Sequence, residues 1–187
     1  KLLQSDQTIT VTDYGAGSKV MQGDTRAIKQ IARYASANAK KGQLLFRLVN
    51  YFEPKNILEL GTSIGLSAMY MAFASKKAQI HTIEGCPQTA QIAMHNFNIM
   101  MLDNIKTHVG TFEEVLPPLL PTIAPLDMVY IDGNHQLQAT LDYFQLCVPY
   151  MNENTVVVLD DIHWSEEMQH AWKTIQTHPD VSISLDL

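Results

Sequence analysis

From residue 56 onward, short apolar runs alternate with longer amphipathic stretches. The runs are NILEL (56–60), QIHTI (79–83), IKTHV (105–109), DMVYI (127–131), TVVVLD (155–160) and VSISL (181–185). Helical periodicity fills the intervals near 64–74, 87–101, 112–119, 135–147 and 165–177. MVYI and VVVL show no polar alternation, which is the pattern of strands covered on both faces. Several of the helical stretches carry start signals. Pro87 suits a first helical position, Thr111 with Glu114 reads as a capping box, and Ser165 precedes Glu166 and Glu167. Strand–helix alternation of this kind predicts a doubly wound α/β fold, with a mostly parallel sheet and right-handed crossovers. Ahead of it, Ile28, Ile31, Ala32 and Ala35 recur at helical spacing, with Asp24 or Thr25 as N-cap. Leu44, Leu45, Leu48, Val49 and Phe52 mark the face of a second helix that Pro54 stops. Residues 1–23 are polar, glycine-rich and weakly patterned, and read as an arm or lid. Residues 24–187 read as one domain, with leading helices over 24–53 and a Rossmann-like core over 54–187. DYGAGS at 13–18 follows no clear strand and opens no helix, so it reads as a turn or mobile lid rather than a phosphate loop.

Composition narrows the function classes. Thirteen Lys and Arg against 19 Asp and Glu give a net charge of −6 over 187 residues. That balance disfavours a broad nucleic-acid or anionic-membrane surface, since both demand clustered cations. No apolar run reaches the ~20 residues of a membrane helix, and KLLQSDQTIT has no signal-peptide core. The expectation is a soluble, cytoplasmic domain. Cys86 and Cys147 cannot form a thiolate metal site by themselves and read as packing residues, as do Met94, Met100 and Met101.

In doubly wound sheets ligands sit beyond the carboxyl ends of the strands, where strand order reverses. The residues after Leu60, Ile83, Val109, Ile131 and Leu159 therefore carry the functional reading. The first of these loops is Glu59-Leu60-Gly61-Thr62-Ser63-Ile64-Gly65. Gly61 and Gly65 allow a tight turn and close approach to a ligand, while Ser63 breaks the G-x-G-x-x-G dinucleotide fingerprint. A buried Glu59 at the end of an apolar strand needs a partner.

NILELGTSIGLSAMYMA resembles motif I of the class I S-adenosylmethionine-dependent methyltransferases, an acidic residue followed by G-x-x-x-G. The resemblance implies S-adenosylmethionine as cofactor, held around Glu59, Gly61, Thr62, Ser63 and Gly65. It also implies that Glu84, ending the second strand, binds both ribose hydroxyls, since a carboxylate accepts two hydrogen bonds. The loop Gly110-Thr111-Phe112 would pack beside adenine, and Asp132 would also border the cofactor.

Asp132 after the fourth strand, and Asp160 and Asp161 after the fifth, would converge on one cleft. Three carboxylates there repel unless a proton or a cation lies between them, and all-oxygen ligands favour Mg²⁺, Mn²⁺ or Ca²⁺ over Zn²⁺. Read separately, Asp132 could touch the cofactor while Asp160 or Asp161 caps the helix near Ser165. IDGNH and LDDIH are similar to the I-D-G-x-H and D-D-x-H segments of metal-dependent O-methyltransferases, more distantly of the catechol type. That resemblance implies Mg²⁺ held by Asp132, Asp160 and Asp161. The chemistry fits, because the sulfonium already activates the methyl group and the acceptor hydroxyl is what holds its proton too tightly. A divalent ion lowers that pKa, and a nearby base takes the proton. His135 and His163 are the candidate bases, His135 favoured; Asn134 stands where some relatives carry an acidic residue.

The expected partner is a small hydroxylated molecule, with a homodimer also open. The family's sheet normally ends in a sixth and an antiparallel seventh strand. This sequence stops after VSISLDL, so the seventh strand is expected to be missing. Three alternatives stand beside this reading. One is a metal-independent methyltransferase on the same scaffold. The second is a nicotinamide-dependent oxidoreductase, which Ser63 disfavours. The third is a non-catalytic cofactor-binding module.

Overall fold

The computed structural model describes residues 2–12, 14, 15, 23–34 and 36–187. Strands β1 (Thr8–Thr10) and β2 (Thr25–Ala27) form an antiparallel ladder, Ile9 opposite Arg26. The expected N-cap at Asp24 or Thr25 is thereby overturned. Thr25 belongs to β2, and helix α1 (Ile28–Tyr34) starts directly after the ladder, with the Ile28 N–H donating to the Gln7 carbonyl. A boundary between 23 and 24 falls inside the connection of this hairpin. The DYGAGS segment lies mostly outside the described residues, as does Ala35.

Helix α2 (Ala39–Phe52) begins at Asn38, whose side-chain oxygen accepts from the N–H groups of Lys40 and Lys41 at 3.0 and 3.1 Å. It ends at Glu53 in a left-handed conformation, one residue before Pro54. Leu45 and Val49 are its buried stripe.

Five strands then alternate with helices: β3 (Asn56–Leu60), α3 (Leu66–Ala74), β4 (Gln79–Glu84), α4 (Pro87–Ile99), β5 (Ile105–Val109), α5 (Phe112–Ile123), β6 (Leu126–Ile131), α6 (Leu137–Cys147), β7 (Met151–Leu159) and α7 (Glu166–Gln176). The strands pair in parallel in the order β5-β4-β3-β6-β7, so the winding reverses between β3 and β6. The pleat sends alternate β3 side chains to opposite cores. Ile57 joins Leu45, Val49, Met71, Ile80, Phe97 and Met128, while Leu58 and Leu60 join Ile83, Leu116, Leu120, Val129 and Phe144.

Two further expectations change. Helix α5 runs through Pro117, Pro118 and Pro121 to Ile123 instead of stopping near 119. Its stripe of Leu116, Leu119, Leu120 and Ile123 is buried, and that burial offsets the hydrogen bonds the prolines cannot make. Second, 181–185 is not a strand, and the sheet stops at β7. Val181 packs on the core, but Ile183 and Leu185 point outward, 82% and 71% exposed, so the alternation of this run has no face to bury. Among the described residues no helix is long and apolar enough to cross a membrane.

Candidate active site

The loops following β3 and β6 meet at the point of reversal. The Asp132 N–H donates to the Leu60 carbonyl at 2.8 Å, and the Gly61 N–H to the Ile83 carbonyl at 3.0 Å. Gly61 sits at φ +103°, where a Cβ would lie 2.0 Å from the Asp132 carbonyl oxygen, so only glycine lets the two loops approach this closely. One turn on, Gly65 at φ +87° opens α3 against the ring of Phe97.

Glu84 ties the second strand end to this loop. One of its oxygens accepts from the Ser63 N–H at 2.8 Å and the other from the Cys86 N–H at 3.0 Å. Beside these contacts opens a cavity of about 300 Å³. Gly61, Ser63, Glu84, Gly110, Thr111, Phe112, Asp132, His135 and Asp161 all line it. Phe112 forms part of the wall between loops: its ring lies against Gly133 and meets Tyr143 edge-on at 5.1 Å. The N-terminal arm contributes Val11, Thr12, Tyr14 and Gly15. Gly15 lies against the Asn134 backbone and Tyr14 against Gly85.

Glu59, Thr62, Gly65, Asp160 and His163 do not line the cavity. Glu59 and Thr62 instead brace the loop from beneath. The Thr82 hydroxyl donates to the Glu59 carboxyl at 2.5 Å and lies 2.5 Å from the Thr62 hydroxyl. Burial pushes the Glu59 carboxyl up to about 7, with the charge of Glu84 adding, against the Ser67 and Thr82 hydroxyls. The neutral form therefore favours the fold. As pH rises above the ordinary 4.5 the unfolded chain ionises first, so stability falls until about pH 7 and then levels. The fall amounts to about 3 kcal/mol. Glu59→Gln is neutral throughout and should flatten that decline. Thermal melts of both proteins between about pH 5 and 8 check this, and parallel slopes would refute it.

Beside the cavity the acidic residues converge. The Tyr130 hydroxyl lies 2.8 Å from an oxygen of both Asp132 and Asp160. A phenol has one proton to donate, so the second contact needs a proton on a carboxyl or a cation nearby. Burial, then the charge of Asp160, holds the Asp132 carboxyl well above its ordinary range. Asp160 goes the other way: burial would raise it, but the hydrogen bond and charge of Lys41 bring it below the ordinary value. The Lys41 ammonium stands 2.6 Å from Asp160 and 3.2 Å from Asp161.

His135 Nε2 is 3.8 Å from Asp132 and 3.9 Å from Asp161. Ligand atoms of Asp132, His135 and Asp161 lie within 4.8 Å of one another. The trio expected to hold a metal was Asp132, Asp160 and Asp161; in this structure Lys41 engages Asp160, and His135 joins the other two. His163 departs from expectation as a base. Asp161 adopts φ +51°, and the Trp164 N–H donates back to the Asp161 carbonyl at 2.8 Å. This turn brings Trp164 into the cavity wall and leaves His163 outside it, 64% exposed and facing Asp186 at 3.1 Å.

Several cavity residues escaped the sequence reading, among them Lys41, Arg26, Glu113, Tyr143 and Trp164. Asn134 donates to the Tyr143 hydroxyl at 2.9 Å, and Tyr143 donates to Glu113 at 2.5 Å. Asn134 and His135 both have positive φ, +70° and +51°. Such conformations persist in non-glycine residues only where surroundings enforce them.

Fold and cleft together define a Rossmann-like domain with a crevice at the β3–β6 reversal. Residues 58–162 match the family model described as a methyltransferase domain, and the chain belongs to that family, with the class I fold. A catechol O-methyltransferase of Niastella koreensis is 32% identical over 130 residues, covering 68% of this chain and 58% of the relative. Another, from Mycobacterium tuberculosis, is 25% identical over 159 residues, 84% of this chain and 69% of the relative. Among solved structures, an O-methyltransferase from Bacillus cereus in complex with SAH superposes with a TM-score of 0.69 at 23% identity, over 77% of this chain and 72% of that one. TomG from Streptomyces achromogenes, in complex with SAM, gives 0.64 at 26% identity, over 75% and 68%.

Proposed function

We propose that this chain transfers the methyl group of S-adenosylmethionine to a hydroxyl of a small molecule, assisted by a divalent cation. The observation that carries the reading is one cavity lined by two chemically distinct sets of residues, Glu84 with Gly61 and Ser63, and Asp132 with His135 and Asp161.

Each residue has work suited to its chemistry. Glu84 lines the cavity, and a carboxylate is the side chain suited to accept from both hydroxyls of a ribose diol. Gly110, Thr111 and Phe112 would flank the base. S-adenosylmethionine supplies a methyl group already activated by its sulfonium. Oxygens that crowd as those of Asp132 and Asp160 do call for positive charge, and the donor set of Asp132, Asp160 and Asp161 suits a hard ion. Such an ion would supply positive charge that lowers the pKa of an acceptor hydroxyl. His135, which lines the cavity with Trp164 and Tyr34, would accept the hydroxyl proton.

The metal-independent alternative keeps one specific support, the Lys41 ammonium already beside the acidic residues. Calorimetric titration of S-adenosylmethionine and S-adenosylhomocysteine, with and without Mg²⁺, tests the main reading. Micromolar binding is expected, weakened roughly 10- to 100-fold in Glu84→Gln, which leaves one acceptor oxygen for the diol. A wild-type protein that binds neither compound refutes the proposal.

A further inference from the structure

We infer that Lys41 is a built-in counter-ion that competes with the divalent cation for Asp160 and Asp161, and so sets how tightly this chain holds that ion. The inference rests on the metal-assisted reading and adds to it a residue from outside the acidic motifs. Lys41 reaches across 119 positions of sequence to Asp160, at 2.6 Å, and also contacts Asp161, at 3.2 Å.

Its placement runs against local preference. The first turn of α2 carries Lys40 and Lys41 and no acidic residue, although the positive end of a helix favours carboxylates. A rule broken at a helix start calls for a compensating partner, and the two aspartates provide it. The base of the side chain is also fixed. Asn38 holds the Lys41 N–H at 3.1 Å, and a Cβ on the adjacent Gly42 would come within 2.2 Å of the Tyr70 ring, so α2 lies flush on α3. What remains free to move is the flexible stem of a side chain that is 37% exposed.

An ammonium and a divalent ion on the same carboxylate oxygens repel. Lys41 must therefore swing outward before the aspartates can close on a metal. Without the ion its single charge offsets part of that of Asp160 and Asp161 and keeps the cluster assembled. The device weakens ion binding in exchange for a cleft that does not spring apart when empty.

The test measures Mn²⁺ affinity of the whole chain by electron paramagnetic resonance of the free ion, for wild type, Lys41→Met and Lys41→Arg. Circular dichroism confirms that all three fold. Lys41→Met keeps the apolar stem and removes the charge, so it should bind Mn²⁺ roughly tenfold more tightly or better, while Lys41→Arg stays near wild type. Adding Asp132→Asn to Lys41→Met should abolish the gain. Binding by Lys41→Met alone also supports the inference. Equal or weaker binding by Lys41→Met, or a gain that survives Asp132→Asn, overturns it and leaves the metal-assisted reading standing. No Mn²⁺ binding by any of the three proteins overturns both.

Discussion

Replacing Gly61 by alanine is expected to destabilise the protein by about 3–5 kcal/mol and to eliminate cofactor binding. Two effects combine. The φ of +103° is one that residues with a Cβ rarely adopt, at a cost of roughly 1–3 kcal/mol. The new methyl would also stand 2.0 Å from the Asp132 carbonyl oxygen. That obstacle is backbone, so relief requires the β3 and β6 ends to separate. Separation strains the Asp132-to-Leu60 hydrogen bond, worth about 1 kcal/mol. Against a typical total stability of about 5–15 kcal/mol, the variant keeps a folded population that melts early. Urea denaturation and titration with S-adenosylhomocysteine measure both effects. A variant within about 1 kcal/mol of wild type that still binds would contradict the described approach of the two loops.

Asp132→Asn separates binding from chemistry. The amide is close in shape to the carboxyl, and the backbone N–H of residue 132 continues to hold Leu60. Affinity for S-adenosylhomocysteine should stay within a few-fold of wild type. On the proposed reading, methyl transfer to an acceptor hydroxyl should fall roughly 10²- to 10³-fold, the scale of several kcal/mol that positive charge at an acceptor oxygen contributes. Mg²⁺ stimulation should disappear with it. Rates at varied Mg²⁺, compared with the binding titration, make the check. Undiminished turnover in this variant would remove Asp132 from the reaction.

The sheet was legible because buried parallel strands announce themselves as unbroken apolar runs. NILEL occupies β3 with the expected limits, as does the more polar IKTHV on the edge strand β5, and the reversal rule then selected the cavity loops. The errors share a physical origin in long-range pairing. Nothing near Thr25 signals that it pairs with Thr10 instead of capping a helix. VSISL has strand alternation but no neighbour on which to bury it. His135 and His163 both follow strand-end aspartates, and sequence alone does not tell which way a turn faces. Asp161 at φ +51° settles that outcome, and it is visible only in three dimensions. Lys41 was missed because its partners lie 119 and 120 residues away.

The cavity draws its wall from Val11 in the N-terminal arm through to Trp164 after β7, with no single element supplying it. A molecule lodged there cross-links nearly the whole chain, and its binding free energy becomes folding free energy. At 100 times the dissociation constant that amounts to about 2.7 kcal/mol, enough to lower the unfolded fraction roughly 100-fold. Susceptibility to proteases in the cell should then follow the cofactor supply, so that abundance tracks metabolic state without any change in expression.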